Sequence, residues 1–356
     1  MASGKITIKE IAQKAGVSSA SVSMILNGKN LSRFSEETVT QVKQIAFAHN
    51  YQLKHPKAPS GTIMIICPSV MNPYYATLIQ SMEQEAIDKG YRTSIFTTYW
   101  STELEKQALE LAMSSAQYSG IIFSMIPQQP ELAVKASKKL PVVAVGDRLQ
   151  DLGIDTVDVN NYYGGEMIGK HLLELGHKNI AYISTALNAE HSARVKRCDG
   201  LRAVYHTPPI KGHVSIYATD ISSATELNTT QIEYEVGFQL AQKCVRENPD
   251  VTALVAVNDM VAYGVIDGVH DLGLRVPEDI SVCGFDNIFP SRFSGIRLTT
   301  IDHSIEERGR STFRLLTERL NNPEIAVREG GITRVEYKSR LIVRESSGVV
   351  KERQKS

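Results

Sequence analysis

The chain has 356 residues, 42% of them hydrophobic, and carries 39 basic and 39 acidic side chains, so its formal net charge is zero. That length is too great for a single core, and two or three domains are expected. Cys67, Cys198, Cys244 and Cys283 stand too far apart for a zinc site or a disulfide framework, no apolar run nears the ~20 residues that span a bilayer, and no apolar signal stretch opens the chain. A soluble, reducing, cytoplasmic setting without a membrane partner is therefore expected.

Residues 7–28 have the spacing of a helix-turn-helix. Ile11, Ala12, Ala15, Val17, Val22 and Ile25 supply the apolar positions that lock two short helices across a tight turn. Ala12 is small enough for close helix approach, Gly16 suits a turn that needs positive φ, and Ser18 is placed to cap the second helix. With Val22, Ile25 and Leu26 turned inward, Ser19, Ala20, Ser23, Met24 and Asn27 face outward, a short uncharged surface that fits a major groove. Thr7 and Ser18 join them as candidate DNA contacts. A third amphipathic helix, capped by Ser35 and running through Val39, Val42, Ile45 and Ala46 to Asn50, closes a small core. Residues 1–57 hold eight Lys or Arg against three acids, a balance of +5, which leaves 31 basic and 36 acidic residues, or −5, for the rest. The neutral chain is thus a basic head on an acidic body, and the head is where phosphates would be met.

Gln52–Gly61 contains Pro56 and Pro59, which push the residues before them out of helical geometry, so a connector is expected there. Beyond it, short β-rich runs alternate with helical stretches. Strands are expected at 62–67, 93–97, 120–124, 141–145 and 156–159, with helices near 74–89, 102–116 and 129–138. The alternation then restarts with strands at 179–184, 214–217, 253–257 and 280–285, separated by helices around 163–175, 194–206, 232–247 and 259–272. Strands joined through helices build parallel sheets, so two such runs predict an α/β body of two doubly wound lobes. The expected division is a head at 1–55, a linker at 56–61, a bilobed domain at 62–345 and a loose polar tail at 346–356. The first lobe takes about 62–161 and 291–322, and the second about 162–290 and 323–345.

Parallel sheets bind ligands beyond the carboxyl ends of their strands. Those ends bring Ser69, Tyr74, Tyr75, Asp147, Arg148, Arg197, Asn258 and Asp286 toward one cleft. Asp, Asn and Arg can bond pairs of hydroxyls, and tyrosine faces suit the apolar side of a sugar ring. Each also has a structural explanation: Asn258 could cap the following helix, and Asp286 could make an Asx turn. The sequence has no Gly-x-Ser-x-Gly elbow, phosphate-cradling Gly-x4-Gly-Lys loop, Gly-x-Gly-x-x-Gly turn or His-x3-His pair, so no enzyme activity, metal or cofactor is expected.

The segments 17–28, His171-Leu-Leu-Glu-Leu-Gly-His177, Val257-Asn-Asp-Met-Val-Ala-Tyr-Gly264, Leu274–Asp286 and Leu298-Thr-Thr-Ile301 resemble, in order, the lactose and galactose repressor family. The resemblance runs from about residue 5 to 345. It implies a bacterial transcription regulator, dimeric or a dimer of dimers, with a sensor similar to periplasmic sugar-binding proteins, most simply a homodimer that represses sugar-utilisation genes at a pseudo-palindromic operator. It also implies effector contacts at Asp147, Arg197, Asn258 and Asp286, and base reading by Ser19, Ala20 and Met24. A ligand-dependent activator or a corepressor-type regulator answering a nucleobase or phosphosugar is the alternative. A transport-type binding protein would share the body but have no use for the head. Two departures from the family stand out. The connector is short and lacks the Ala-Arg-x-Leu core whose leucine wedges into the minor groove, and Met24 stands where arginine is common, which shifts the expected readout toward thymine methyls.

Overall fold

The computed structural model describes residues 6–26, 33–49, 51, 61–146, 152–188, 192–209, 212–221, 231–293, 295, 297–322 and 331–351. The connector, Asn27, Asp147 and Arg148 lie outside them. Two compact units divide the chain, residues 1–60 and 61–356.

In the first unit, helix α1 (Ile8–Ala15) begins with a reciprocal cap. The Thr7 hydroxyl accepts from the Glu10 amide at 3.3 Å, and the Thr7 amide donates to Glu10 Oε2 at 2.7 Å. Gly16 ends the helix at φ 65°, the left-handed geometry that turns the chain into α2 (Ser19–Leu26). The Ser18 hydroxyl caps α2 by accepting from Ser21 N at 3.0 Å, and Ser35 does the same for α3 (Glu36–Ala48) through Thr38 N at 3.2 Å. Ile11, Ala12, Ala15, Val22, Ile25, Val42 and Ala46 form its buried core.

The second unit contains two six-stranded sheets. The first comprises β1 (Thr62–Cys67), β2 (Arg92–Thr97), β3 (Tyr118–Phe123), β4 (Val142–Val145), β5 (Asp155–Val159) and β11 (Arg334–Tyr337), in the order β11-β5-β4-β3-β1-β2. The second comprises β6 (Asn179–Ser184), β7 (His213–Ala218), β8 (Ala253–Ala256), β9 (Ser281–Asp286), β10 (Thr299–Asp302) and β12 (Arg340–Ile342), in the order β12-β10-β9-β8-β6-β7. Every pair is parallel except the antiparallel β10–β12. Helices cover both faces, which explains why β1 is buried throughout: Ile63 and Ile65 pack into one core, Met64 and Ile66 into the core on the other face. The four cysteines are buried free thiols, pushed up to about 11 or 12 by that burial.

Helices α4 (Pro73–Asp88), α5 (Thr102–Ser114), α6 (Pro130–Ser137) and α11 (Ile305–Asn321) serve the first lobe. Helices α7 (Asn161–Glu174), α8 (Ser192–Tyr205), α9 (Ile232–Glu247) and α10 (Asp259–Asp271) serve the second. Three segments cross between lobes: 159–161, 302–305 and 337–340.

Three expected boundaries need correction. The second lobe keeps residues 291–302, because β10 lies parallel to β9 with Thr299, Thr300 and Ile301 buried, and the chain returns to the first lobe only after Asp302. Residues 334–337 belong to the first lobe, since β11 extends that sheet beside β5 with Val335 and Tyr337 on its core. Asp155 fixes this return by accepting from Thr333 N at 2.7 Å and from Arg319 at 2.7 and 2.9 Å. Residues 346–350 are no loose tail. Ser346 Oγ donates to Val282 O at 2.6 Å, Gly348 N donates to Ser281 Oγ at 3.0 Å, and Val350 N donates to Leu175 O at 2.9 Å. Among the described residues, no helix is long and apolar enough to cross a membrane.

Candidate DNA-reading face and ligand cleft

On α2 the burial pattern follows the helical period. Val22 and Ile25 point into the core, Ser19 and Ala20 are exposed, and Ser23 and Met24 are half-buried. That leaves one narrow face free of charged side chains, which suits base edges more than phosphates. Thr7 and Ser18, also expected to contact DNA, have their hydroxyl oxygens engaged as helix caps and remain exposed. Thr7 bonding holds the Glu10 carboxyl below its ordinary range.

Between the two lobes of the body lies a cavity of about 160 Å³. Of the expected effector residues it brings together Tyr74, Tyr75, Arg197, Asn258 and Asp286. Ser69 is outside the lining; it is buried at the end of β1 and its hydroxyl accepts from Met71 N at 3.1 Å, closing a turn. Val145 and Gly146, which precede Asp147, do line it.

Arg197 is heavily engaged. It lies on α8, whose close approach to α7 requires glycine on both: a Cβ at Gly165 would stand 2.1 Å from Arg197 O, and one at Gly200 1.9 Å from Tyr162 O. The guanidinium stacks over the Phe285 ring at 4.8 Å. Its Nε donates to Asn161 Oδ1 at 2.8 Å, Nη1 to Val257 O at 2.7 Å, and Nη2 to Asp286 Oδ1 at 3.3 Å and His303 Nε2 at 3.2 Å. Arginine has only donors, so Nε2 of His303 accepts. The proton therefore sits on Nδ1, which donates to Ser339 Oγ at 3.1 Å. Asn161, His303 and Ser339 belong to the three separate crossings, so one arginine ties the whole hinge together. His303 is fully buried, and burial, with Arg197 and Arg308 nearby, drives its pKa well below the ordinary histidine range.

Burial raises the Asp286 carboxyl to about 6 against the pull of Arg197 and Arg308. Behind it, Asp259 is raised to about 7 by burial and by the Asp286 charge, although it accepts from Ser291 Oγ and Thr300 Oγ1 at 2.6 Å each and from Ile288 N at 3.0 Å.

A second polar chain spans the cleft. Asn258 caps α10 by accepting from Val261 N at 2.9 Å, and its Nδ2 donates to Glu233 Oε1 at 2.7 Å. The other Glu233 oxygen accepts from Asn72 Nδ2 of the first lobe at 2.9 Å. The capping role of Asn258 therefore coexists with a place in the cleft. Sequence reasoning missed Trp100, Glu233 and Arg308, all of which line the cavity. Arg308 could have been suspected from its place in the first turn after a crossing, but its burial follows only from how α11 packs on α4, where Gly309 leaves no room for a Cβ beside Ser81 Oγ and Leu78 O.

Comparison with known proteins gives these geometries a family. Residues 7–53 match the family described as bacterial regulatory proteins, lacI family, and residues 60–340 match periplasmic binding proteins and sugar binding domain of LacI family. The HTH-type transcriptional repressor PurR of Haemophilus influenzae (strain PittEE) is 29% identical over 343 residues, covering 96% of this chain and 98% of that protein. The protein of the same name from Photorhabdus laumondii is 30% identical over 356 residues, covering 96% of each. Among solved structures, a LacI family transcriptional regulator from Enterococcus faecium with bound ribose superposes with a TM-score of 0.65 at 24% identity, covering 82% of this chain and all of that one. The helix-turn-helix head and the two-lobed body with its cleft are those of a DNA-binding transcriptional regulator, and the chain belongs to the LacI family.

Proposed function

We propose that this regulator senses a small hydroxylated metabolite in the cleft between its lobes and that occupancy changes its grip on a two-fold symmetric operator, which it represses as a homodimer. The observation that carries this reading is the chain Asn161–Arg197–His303–Ser339, because a ligand touching Arg197 or Asp286 touches the bonds that hold all three crossings. A ligand shifts such an equilibrium by its preference between two lobe arrangements, about 1–3 kcal/mol in typical couplings. Paired amides, carboxylates and arginines around aromatic side chains favour a sugar; the ribose in the Enterococcus faecium structure is of that class. Tyr74, Tyr75 and Trp100 on the same wall suit a planar heterocycle as the second ligand class. One head offers too few base contacts for selectivity, so two are needed. The exposed edge-to-face pair Phe289 and Phe293 provides apolar surface for a second copy.

Thermal unfolding with a set of sugars and nucleobases tests the reading, since a compound that binds the native state raises Tm. The stabilising compound is expected to bind Asp286→Ala at least about tenfold more weakly, the loss of one charged hydrogen-bonding partner. Undiminished affinity in that variant removes the cleft as the site. Light scattering on the same preparation is expected to give the mass of two chains, and a single-chain mass contradicts the dimer.

A further inference from the structure

Three arginines and two carboxylates line the cavity among the described residues: Arg194, Arg197 and Arg308 against Glu233 and Asp286. Their situations differ. Arg197 has Asp286, Asn161 and Val257 O as acceptors, and Arg194 donates to Ala186 O at 3.3 Å. Arg308 has far less. It is 1% exposed, its Nη1 donates to the Tyr74 hydroxyl at 3.0 Å, its Nε is buried without any partner, and no carboxylate among the described residues lies within ion-pairing distance of it. The Ser124 hydroxyl, at the end of β3 on the same first-lobe wall, is likewise buried and unpartnered. Leaving a guanidinium nitrogen buried without an acceptor is costly, and a second lining group in the same condition makes accident a poor explanation.

Resting on the reading of this cleft as the effector site, we infer that the effector is an anionic hydroxylated metabolite whose oxyanion, a phosphate monoester or a carboxylate, seats on Arg308 and Ser124. The anion supplies what the wall lacks. It places a counter-charge directly against Arg308, accepts from Nε, and accepts the Ser124 hydroxyl proton in a hydrogen bond. A neutral hydroxyl fills the geometry and leaves Arg308 without a directly bonded anion. The hydroxylated body then lies toward Asp286 and Asn258 on the opposite lobe, so the ligand touches both lobes at once. Tyr74 oxygen already accepts from Arg308, which leaves its proton for a second bond to the same anion.

Trp100 is the single tryptophan of the chain and lines this cavity, so its fluorescence reports occupancy of the full-length protein directly. The first probe is inorganic phosphate, followed by pentoses and hexoses each paired with its phosphorylated and its carboxylated counterpart. Phosphate is expected to shift Trp100 emission and raise Tm in the wild type. Arg308→Met is expected to abolish both responses while unfolding at no lower a temperature, because it removes a buried cation that has no carboxylate within ion-pairing distance. Should that variant fail to fold, Ser124→Ala and Arg308→Lys provide the readout, with a weakened and a partly retained response. Charged sugars are expected to bind about tenfold or more tightly than their neutral partners, and which series does so separates phosphate from carboxylate. Equal phosphate responses in wild type and variants, no response in either, or neutral and charged sugars of equal affinity would overturn the inference. Arg308-dependent anion binding with unchanged operator affinity would keep the anion seat and overturn the regulatory reading. A neutral ligand that moves operator affinity regardless of Arg308 would do the reverse.

Discussion

His303 shows how a single buried side chain makes stability depend on pH. Its folded pKa is depressed by burial and by two arginines, so in acid the unfolded chain takes up a proton that the native state refuses. The contribution is fully present above the unfolded value of 6.5 and is lost as pH falls below it. In His303→Gln, which can still accept from Arg197 and donate to Ser339, the wild type is expected to lead by about 1–3 kcal/mol at pH 7.5. That lead should shrink by up to about 1.4 kcal/mol per pH unit below 6.5, read from urea unfolding; a gap that ignores pH would contradict the neutral, Nδ1-protonated assignment. Asp259 and Asp286 act in the opposite direction, their raised pKa values costing stability as pH climbs from the ordinary carboxylate range, but both remain in the variant and drop out of the comparison. At this scale the strand-end logic was informative: Arg197, Asn258 and Asp286 do meet in one cavity. It could not foresee that Arg197 would be consumed by internal bonds while Arg308 stayed under-partnered, because that distinction depends on which neighbours a fold supplies and leaves no mark on the residue itself.

Among elements, the packing of α7 on α8 sets where Arg197 can lie. At Gly200, alanine would gain at most about 1 kcal/mol in helix propensity, but its Cβ would stand 1.9 Å from backbone oxygen, which has no rotamer by which to yield. Overpacking is expected to win. Gly200→Ala should lose about 1–3 kcal/mol in urea unfolding and weaken ligand binding as well, since Arg197 stands one turn away on the same helix. Unchanged stability would mean that the two helices slide apart freely and do not fix the arginine. The alternation of strands and helices was legible because long apolar-periodic segments specify their own conformation, and parallel sheets follow from the helical connections. The residues that form the short strands β10 and β11 are expected from sequence in the opposite lobes for a reason of the same kind. Four residues do not state which sheet they join; that is settled by where the chain crosses and by partners as distant in sequence as Asp155 and Thr333.

For the whole molecule, the head carries the means to read DNA and the body carries a cleft whose two walls are bonded through a common hinge, so the account depends on a free-energy coupling between two sites. Linkage makes that coupling reciprocal: if ligand changes operator affinity by some factor, operator changes ligand affinity by the same factor. The direct measurement uses full-length protein, a genomic duplex it enriches from its own genome, and the compound that most raises its Tm. Operator affinity is titrated with and without the compound at one fixed salt concentration, and the affinity of the compound, followed through Trp100, with and without operator. The expected result is the same factor in both directions, between about 5 and 150, and its loss in Asp286→Ala. A compound that fills the cleft, depends on Asp286, and leaves operator affinity unchanged would contradict the account.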